Sequence, residues 1–208
     1  MSLMAENYTE EEDKLISWFK DNYINMIIGI VVGTVLVLGY NYQQDHALSN
    51  QYEISLKYEK ALASYQENKY TDILTLSQEL SKTDPENIYA SLANLYSAKV
   101  YHDKKQYEKA LSSLSYIVKN SQSDEILNIA KLRSARILIY LKRYDEAKAT
   151  IISIDNYMAQ VIPTELLGDV EYYTNNLKEA KKIYQLSLKN EMTPNKRKII
   201  ENKINSIN

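Results

Sequence analysis

The chain is 208 residues long, with 25 Lys and Arg against 27 Asp and Glu and a formal net charge of -2; without a long-range positive field it is not expected to bind nucleic acid. It has no cysteine, which removes disulfides, thiol nucleophiles, thiolate metal sites and an acylated cysteine anchor in one step. Only 4 Gly and 3 Pro leave little material for hairpin turns or phosphate-cradling loops, so the expected fold class is all-α. The 19 Tyr against 1 Phe have no explanation at the level of sequence.

The first element is a leader, residues 1–22, in which Met1 to Leu3 read as an expression remnant ahead of a native start at Met4. Thr9 and Glu12 have capping-box spacing, so a helix is expected to start there and to carry Leu15, Ile16, Trp18 and Phe19 towards a membrane surface. The next stretch, "YINMIIGIVVGTVLVLGY" from Tyr23 to Tyr40, holds no charge, and only Asn25 and Thr34 in it are polar. As a helix it is roughly 27 Å long, close to the ~30 Å hydrocarbon thickness of a bilayer. Cleavage as a signal peptide is not expected, because the leader is acidic (Glu6, Glu10, Glu11, Glu12, Asp13 and Asp21 against Lys14 and Lys20) and no small-residue cleavage site follows. Trp18 and Phe19 on one side, and Tyr40 and Tyr42 on the other, place amphipathic rings at both headgroup levels. Lys14 and Lys20 precede the run and no Lys or Arg follows until Lys57, which puts the N-terminus in the cytoplasm. Residues 23–42 are thus expected to be a single transmembrane helix in contact with lipid. Gly29 and Gly33 form a small-xxx-small pair that would let another membrane helix approach, leaving a homodimer open.

Behind this anchor, residues 43–208 are enough chain for one core. Neither Gly nor Pro occurs between Tyr40 and Asp84, so the membrane helix is expected to run on into the domain. Self-similar segments then appear: "KYTDILTL", "QYEKALSSL", "RYDEAKATI" and "NLKEAKKIY", whose anchors Tyr70, Tyr107, Tyr144 and Leu177 are 37, 37 and 33 residues apart. A period of about 34 is that of helix-turn-helix solenoids. The tetratricopeptide pattern also requires a small residue twelve positions before the alanine of the second helix; Ala98, Ala135 and Gly168 precede Ala110, Ala147 and Ala180, and Ala61 precedes Ile73. Leu114, Ile151 and Tyr184 supply the large apolar residue four positions later, whereas Ser77 does not, and only Pro85 meets the proline position. The repeats resemble tetratricopeptide repeats in degenerate form. The expected helix pairs are 48–67 with 70–82, 86–103 with 106–119, 124–141 with 144–155, and 161–174 with 177–190. Asp84 (with Pro85 as first helical residue), Ser123 and Thr193 are the expected N-caps. A capping helix over 194–206 is expected to cover the last repeat with Ile199, Ile200, Ile204 and Ile207 and to turn Lys196, Arg197 and Lys198 to solvent.

Catalytic parts are scarce. His46 and His102 are the only histidines and have no i, i+4 partner histidine, no nucleotide or nucleophile motif is present, and the carboxylates sit beside lysines at helical surface spacing. No catalytic residue, cofactor or metal is therefore expected. The first helices of the pairs should instead line a concave wall suited to peptide. From the first unit that wall takes Tyr58 and Tyr65, from the second Lys99 and His102, from the third Arg136 and Tyr140, and from the fourth Asp169, Tyr172 and Tyr173. Glu165 falls on the same wall, while Leu62, Leu95, Leu132 and Ile139 read as core between repeats.

The leader "TEEEDKLISWFKDN", the glycine-containing span, "YASLANLYSAKVYHDKKQYEKAL", "LRSARILIYLKRYDEA", "LLGDVEYYTNNLKEAKKIYQ" and the terminal "MTPNKRKIIENKINSI" together resemble the YfgM family, tetratricopeptide-like ancillary subunits of the bacterial SecYEG translocon. The resemblance covers nearly the whole chain. It implies a single-pass inner-membrane protein with a periplasmic repeat domain, which contacts SecYEG and a PpiD-type periplasmic chaperone and passes exported polypeptides to that chaperone. It also implies a role in restraining an RcsB-type envelope stress response, and it brings no catalytic residues. The alternative is a repeat scaffold for another envelope assembly.

Overall fold

The computed structural model describes residues 3–207, with side chains for residues 12–44 and 48–207. Met1, Ser2 and the side chains of Thr9 and His46 lie outside that description. The chain divides into two compact units, Met1–Ile54 and Ser55–Asn208; helix α1 (Leu3–Gln66) supplies residues to both.

In the first unit α1 is apolar on every side between Tyr23 and Tyr40, and Ile24, Ile27, Ile28, Val31, Val35 and Leu38 are all exposed. Thr34 donates its hydroxyl to the Ile30 carbonyl at 2.8 Å, and Asn22 donates its side-chain amide to the Trp18 carbonyl at 2.9 Å. Thr34, inside the run, thus spends its hydroxyl proton on its own helix, an arrangement that hydrocarbon tolerates. Trp18 and Phe19 meet edge to face at 5.4 Å. Among the described residues this is the one helix long and apolar enough to cross a membrane. Its start is not at Thr9: Leu3, Met4, Ala5 and Glu6 are good helix formers, and α1 begins upstream at Leu3.

The second unit takes the end of α1 and then α2 (Thr71–Thr83), α3 (Ile88–Asp103), α4 (Tyr107–Asn120), α5 (Asp124–Tyr140), α6 (Tyr144–Ile152), a 3-10 turn (Tyr157–Ala159), α7 (Val161–Tyr173), α8 (Leu177–Ser187) and α9 (Pro194–Asn205). From α2 to α9 each helix packs on the next, and α5 also touches α3 and α7, so the first helices of successive pairs stand side by side as a solenoid requires. The small positions close these contacts: Ala61, Ala98, Ala135 and Gly168, and opposite them Ile73, Ala110, Ala147 and Ala180, are all buried. Leu95, Leu114, Ile117, Ile126 and Ile137 form one core cluster, and Leu138, Ile151, Leu166, Leu167, Val170 and Ile183 the next. Fully burying each such side chain contributes about 1.5–3 kcal/mol. Ser77, where the repeat pattern calls for a large apolar residue, is buried and accepts a hydrogen bond from the Ser97 hydroxyl at 2.8 Å. A polar pair thus replaces the missing apolar contact at that crossing.

The four turns within pairs are built alike. Asn68, Lys105, Lys142 and Asn175 adopt φ of 63°, 59°, 61° and 65°, each two residues before the anchor of the second helix. The amide after each reaches back to close a six-residue turn: Lys69 to the Ser64 carbonyl at 2.9 Å, Gln106 to Tyr101 at 2.8 Å, Arg143 to Leu138 at 2.9 Å and Asn176 to Glu171 at 2.8 Å. This is the Schellman termination, which glycine favours and L-residues oppose by roughly 1–2 kcal/mol. Asparagine tolerates the left-handed region; lysine has no such means. Lys105→Gly and Lys142→Gly are therefore each expected to stabilise the domain by about 0.5 kcal/mol, after the entropy cost of glycine. The thermal midpoint of the full-length protein in detergent measures this, and a fall in midpoint for both would refute it.

Two caps are as expected. Ser123 accepts from the Ile126 amide at 3.3 Å and Thr193 from the Lys196 amide at 3.4 Å. The third is not: the N-cap of α3 is Asn87, whose side-chain oxygen accepts from the Tyr89 amide at 2.9 Å. Asp84 holds Asn87 in that role by accepting from its Nδ2 at 2.8 Å, and the Pro85 carbonyl accepts from the Tyr116 hydroxyl at 2.9 Å, so Pro85 belongs to the turn. Helix α6 also stops earlier than expected, at Ile152, before Asn156 enters the left-handed region.

Ile200 of the capping helix and Ile207 just beyond its end are buried with Ile204 packed against them, but Ile199 is exposed. Lys196 does not turn to solvent; it pairs with Glu165, which is buried. A carboxylate on the wall of the last unit thus draws in a lysine that helical spacing alone assigns to the outer face.

Candidate partner-binding groove

Tyr58 and Tyr65 lie on the α1 turns that enter the second unit and pack into a layer of rings. Tyr58 lies 5.2 Å from Tyr89 and 6.5 Å from Tyr96; Tyr65 lies 4.9 Å from Tyr96 and 5.3 Å from Tyr70. Burial, then the neighbouring Tyr96 and Tyr89, push the Tyr58 hydroxyl up to about 12, and burial raises Tyr65 as well. Rings at such half-buried positions gain contact area while their hydroxyls reach water or a polar neighbour; the Tyr70 hydroxyl, for one, donates to Asn68 at 2.8 Å.

Lys99 and His102 on α3 and Arg136 on α5 come together. They line one cavity of about 260 Å³ with Asp103, Arg133, Ala98, Leu114 and Ile137. Lys99 Nζ lies 3.0 Å from Asp103 Oδ2, and His102 Nδ1 lies 3.4 Å from Asp103 Oδ1. The hydrogen bond from Lys99 holds the Asp103 carboxyl below its ordinary value. The same bond raises Lys99, against which the nearby Arg133 charge works. Arg133 donates from Nη1 to the Leu95 carbonyl at 3.3 Å. Neither Arg133 nor Arg136 has a carboxylate partner among the described residues. Repeat register alone missed Arg133 and Asp103, although Arg133 lies three residues before Arg136 and Asp103 four after Lys99, both on a shared helix face.

Further along the wall, Tyr140 is 66% exposed and its ring lies 4.8 Å from Tyr107, which in turn meets His102 at 5.5 Å. Tyr173 stacks on Tyr144 at 6.0 Å and 12° and meets Tyr172 at 5.6 Å. Asp169 faces inward. It accepts from Lys203 at 2.6 and 2.9 Å and from the Tyr184 hydroxyl at 2.6 Å, so α9 and α8 already occupy its carboxylate. In the first unit, a Cβ built at Gly29 or Gly33 meets nothing within 4 Å.

The layer of tyrosine rings and the cationic α3–α5 cavity thus sit on a stack of helical pairs. The family profile described as "Tetratricopeptide repeat-like domain" matches residues 16–208. The chain belongs to the tetratricopeptide repeat-like family. Six curated relatives match, and every one carries the name "Ancillary SecYEG translocon subunit". The relative from Escherichia coli (strain K12) is 24% identical over 202 residues, covering 97% of this tetratricopeptide repeat-like chain and 97% of its own. That from Aggregatibacter actinomycetemcomitans is 28% identical over 187 residues, 88% of this chain and 91% of its own, and that from Buchnera aphidicola subsp. Acyrthosiphon pisum is 26% identical over 189 residues, 90% and 95%. The resemblance to the YfgM family read from the sequence is thereby borne out. No solved structure gives a significant match.

Proposed function

We propose that this chain is a non-enzymatic, membrane-anchored ancillary subunit of the SecYEG translocon in a bacterial inner membrane. Residues 1–22 lie in the cytoplasm, 23–42 cross the bilayer, and 43–208 lie in the periplasm, where the groove receives exported polypeptides and passes them to a chaperone of the PpiD type. The observation that carries the reading is the match to the Escherichia coli relative over 97% of both chains, which leaves no room for the apolar helix or the repeats to fall outside it. Lys14 and Lys20 support the orientation. The small-xxx-small spacing of Gly29 and Gly33 supports contact with another membrane helix, from the translocon or a second copy. Tethering at the channel raises the effective concentration of the groove for emerging chains. An RcsB-type regulatory role would fall to the leader, whose side chains are described only from Glu12 onward.

The test is purification of the full-length protein from membranes in mild detergent, after photo-crosslinking in intact cells from a probe at Tyr140. SecYEG is expected in the eluate, and an exported polypeptide or a PpiD-type chaperone is expected in the crosslink. Recovery of a different envelope assembly without SecYEG would establish the scaffold alternative instead.

A further inference from the structure

Three cationic side chains, Lys99, Arg133 and Arg136, converge on the α3–α5 cavity and face a single carboxylate, Asp103. Asp103 is engaged by Lys99 and lies beside His102. Arg133 spends one N–H on a backbone carbonyl, and Arg136 carries no hydrogen bond or ion pair among the described residues. Buried Leu114, Ala98 and Ile137 form the floor of the same cavity, while Lys99, Asp103, Arg133 and Arg136 are exposed to solvent at its rim. The contrast with the fourth unit is informative. There the wall positions are carboxylates, Glu165 and Asp169, and lysines of α9 neutralise both. At the α3–α5 cavity the wall is cationic, and no segment of the described chain supplies the answering charge.

From this we infer that the cavity is an anchoring subsite for an acidic partner segment, which inserts an Asp or Glu side chain between Lys99, Arg133 and Arg136. The planar guanidinium of Arg136 can take such a carboxylate through two parallel hydrogen bonds, and Arg133 retains free N–H donors for a shared oxygen. Tyr107 and Tyr140, in contact with each other and with His102 through Tyr107, provide ring surface for the residues flanking the acid. The inference rests on the adaptor reading only in requiring that the groove bind polypeptide. It adds that the groove selects acidic segments over neutral or basic ones.

Full-length protein in detergent micelles, applied to an array of short peptides of random sequence with amidated C-termini, tests this selection directly. Retained peptides are expected to be enriched in Asp and Glu, and the enrichment to fade as salt is raised. Arg136→Gln, which breaks no hydrogen bond or ion pair among the described residues, is expected to weaken binding of the array-selected acidic peptides by roughly tenfold while leaving the thermal midpoint in place. A parallel array with free C-termini separates a side-chain carboxylate from a terminal one. The inference is overturned if retained peptides show no acidic enrichment, if Arg136→Gln leaves the enrichment intact, if acid preference appears only with free C-termini, or if no peptide is retained. Copurification of SecYEG by the Arg136→Gln protein reports on the adaptor reading separately, so either can fail without the other.

Discussion

Gly168→Ala is expected to destabilise the repeat domain by about 1–2 kcal/mol, although in an exposed helix interior the same exchange stabilises by roughly 0.8–1 kcal/mol. A Cβ on Gly168 would lie 2.6 Å from Tyr184 Cδ1 and 3.1 Å from Cζ, well inside van der Waals contact. The ring has nowhere to go: Tyr184 is 2% exposed, its hydroxyl is held by Asp169 at 2.6 Å, and Lys203 Nζ lies 5.6 Å from its centroid. Overpacking therefore exceeds the gain in helix propensity, and the sign of the effect is the test. A rise in the unfolding midpoint for Gly168→Ala would show that α7 and α8 do not cross this closely. In a Tyr184→Leu background the same exchange is expected to become neutral or stabilising, because the obstructing ring is gone.

The crossing at Gly168 was legible in the sequence because it obeys a steric rule that recurs. Ala61, Ala98 and Ala135 occupy the same register and are all buried, so spacing alone located four helix crossings and most of the helix boundaries. The turns between them were less legible. Lys105 and Lys142 stand in left-handed conformations that glycine would ordinarily mark, and a lysine gives no such signal. Register placed the candidate groove residues, but their electrostatics were not legible. Lys99, His102 and Arg136 meet in one cavity as their positions imply, and Arg133 and Asp103 join them from the same helix faces. Asp169 shares that register, yet its carboxylate is taken by Lys203 from 34 residues away, a pairing that no local pattern encodes. The excess of tyrosine also gains a physical account from the fold. In the layer of Tyr58, Tyr65, Tyr70, Tyr89 and Tyr96, rings pack between helices at positions that remain partly open to water, where phenylalanine would waste the polar edge.

Lys203→Met is expected to cost about 3 kcal/mol and to release α9 from the last repeat. Lys203 contacts Glu165 at 2.8 Å and Asp169 at 2.6 Å, and the Glu165 side chain is only 8% exposed. Removing one partner of a buried pair leaves a desolvated charge behind and costs about 3–5 kcal/mol; Lys196 stays on Glu165 and places the effect at the low end. Burial alone would raise the Glu165 carboxyl, but hydrogen bonds from Lys196 and Lys203 outweigh it and hold the group below its ordinary value of 4.5. The unfolded chain therefore takes up this proton first as pH falls. The contribution of the network is fully present above the ordinary carboxylate range and is lost as pH drops through the lowered folded value. At the alkaline end the sign reverses. Burial alone would lower Lys203, its bonds to Asp169 and Glu165 prevail and raise it above 10.5, and its share is lost only when pH rises beyond that value. Wild-type protein is thus expected to lose amide protection in α9 steeply below about pH 4.5. In Lys203→Met that protection is already reduced at neutral pH, and the acid slope is shallower because Glu165 has lost part of what depressed it. An unchanged acid slope in the variant would place the acid-sensitive contact elsewhere, and the cap would then rest on Ile200 and Ile207 without help from charge.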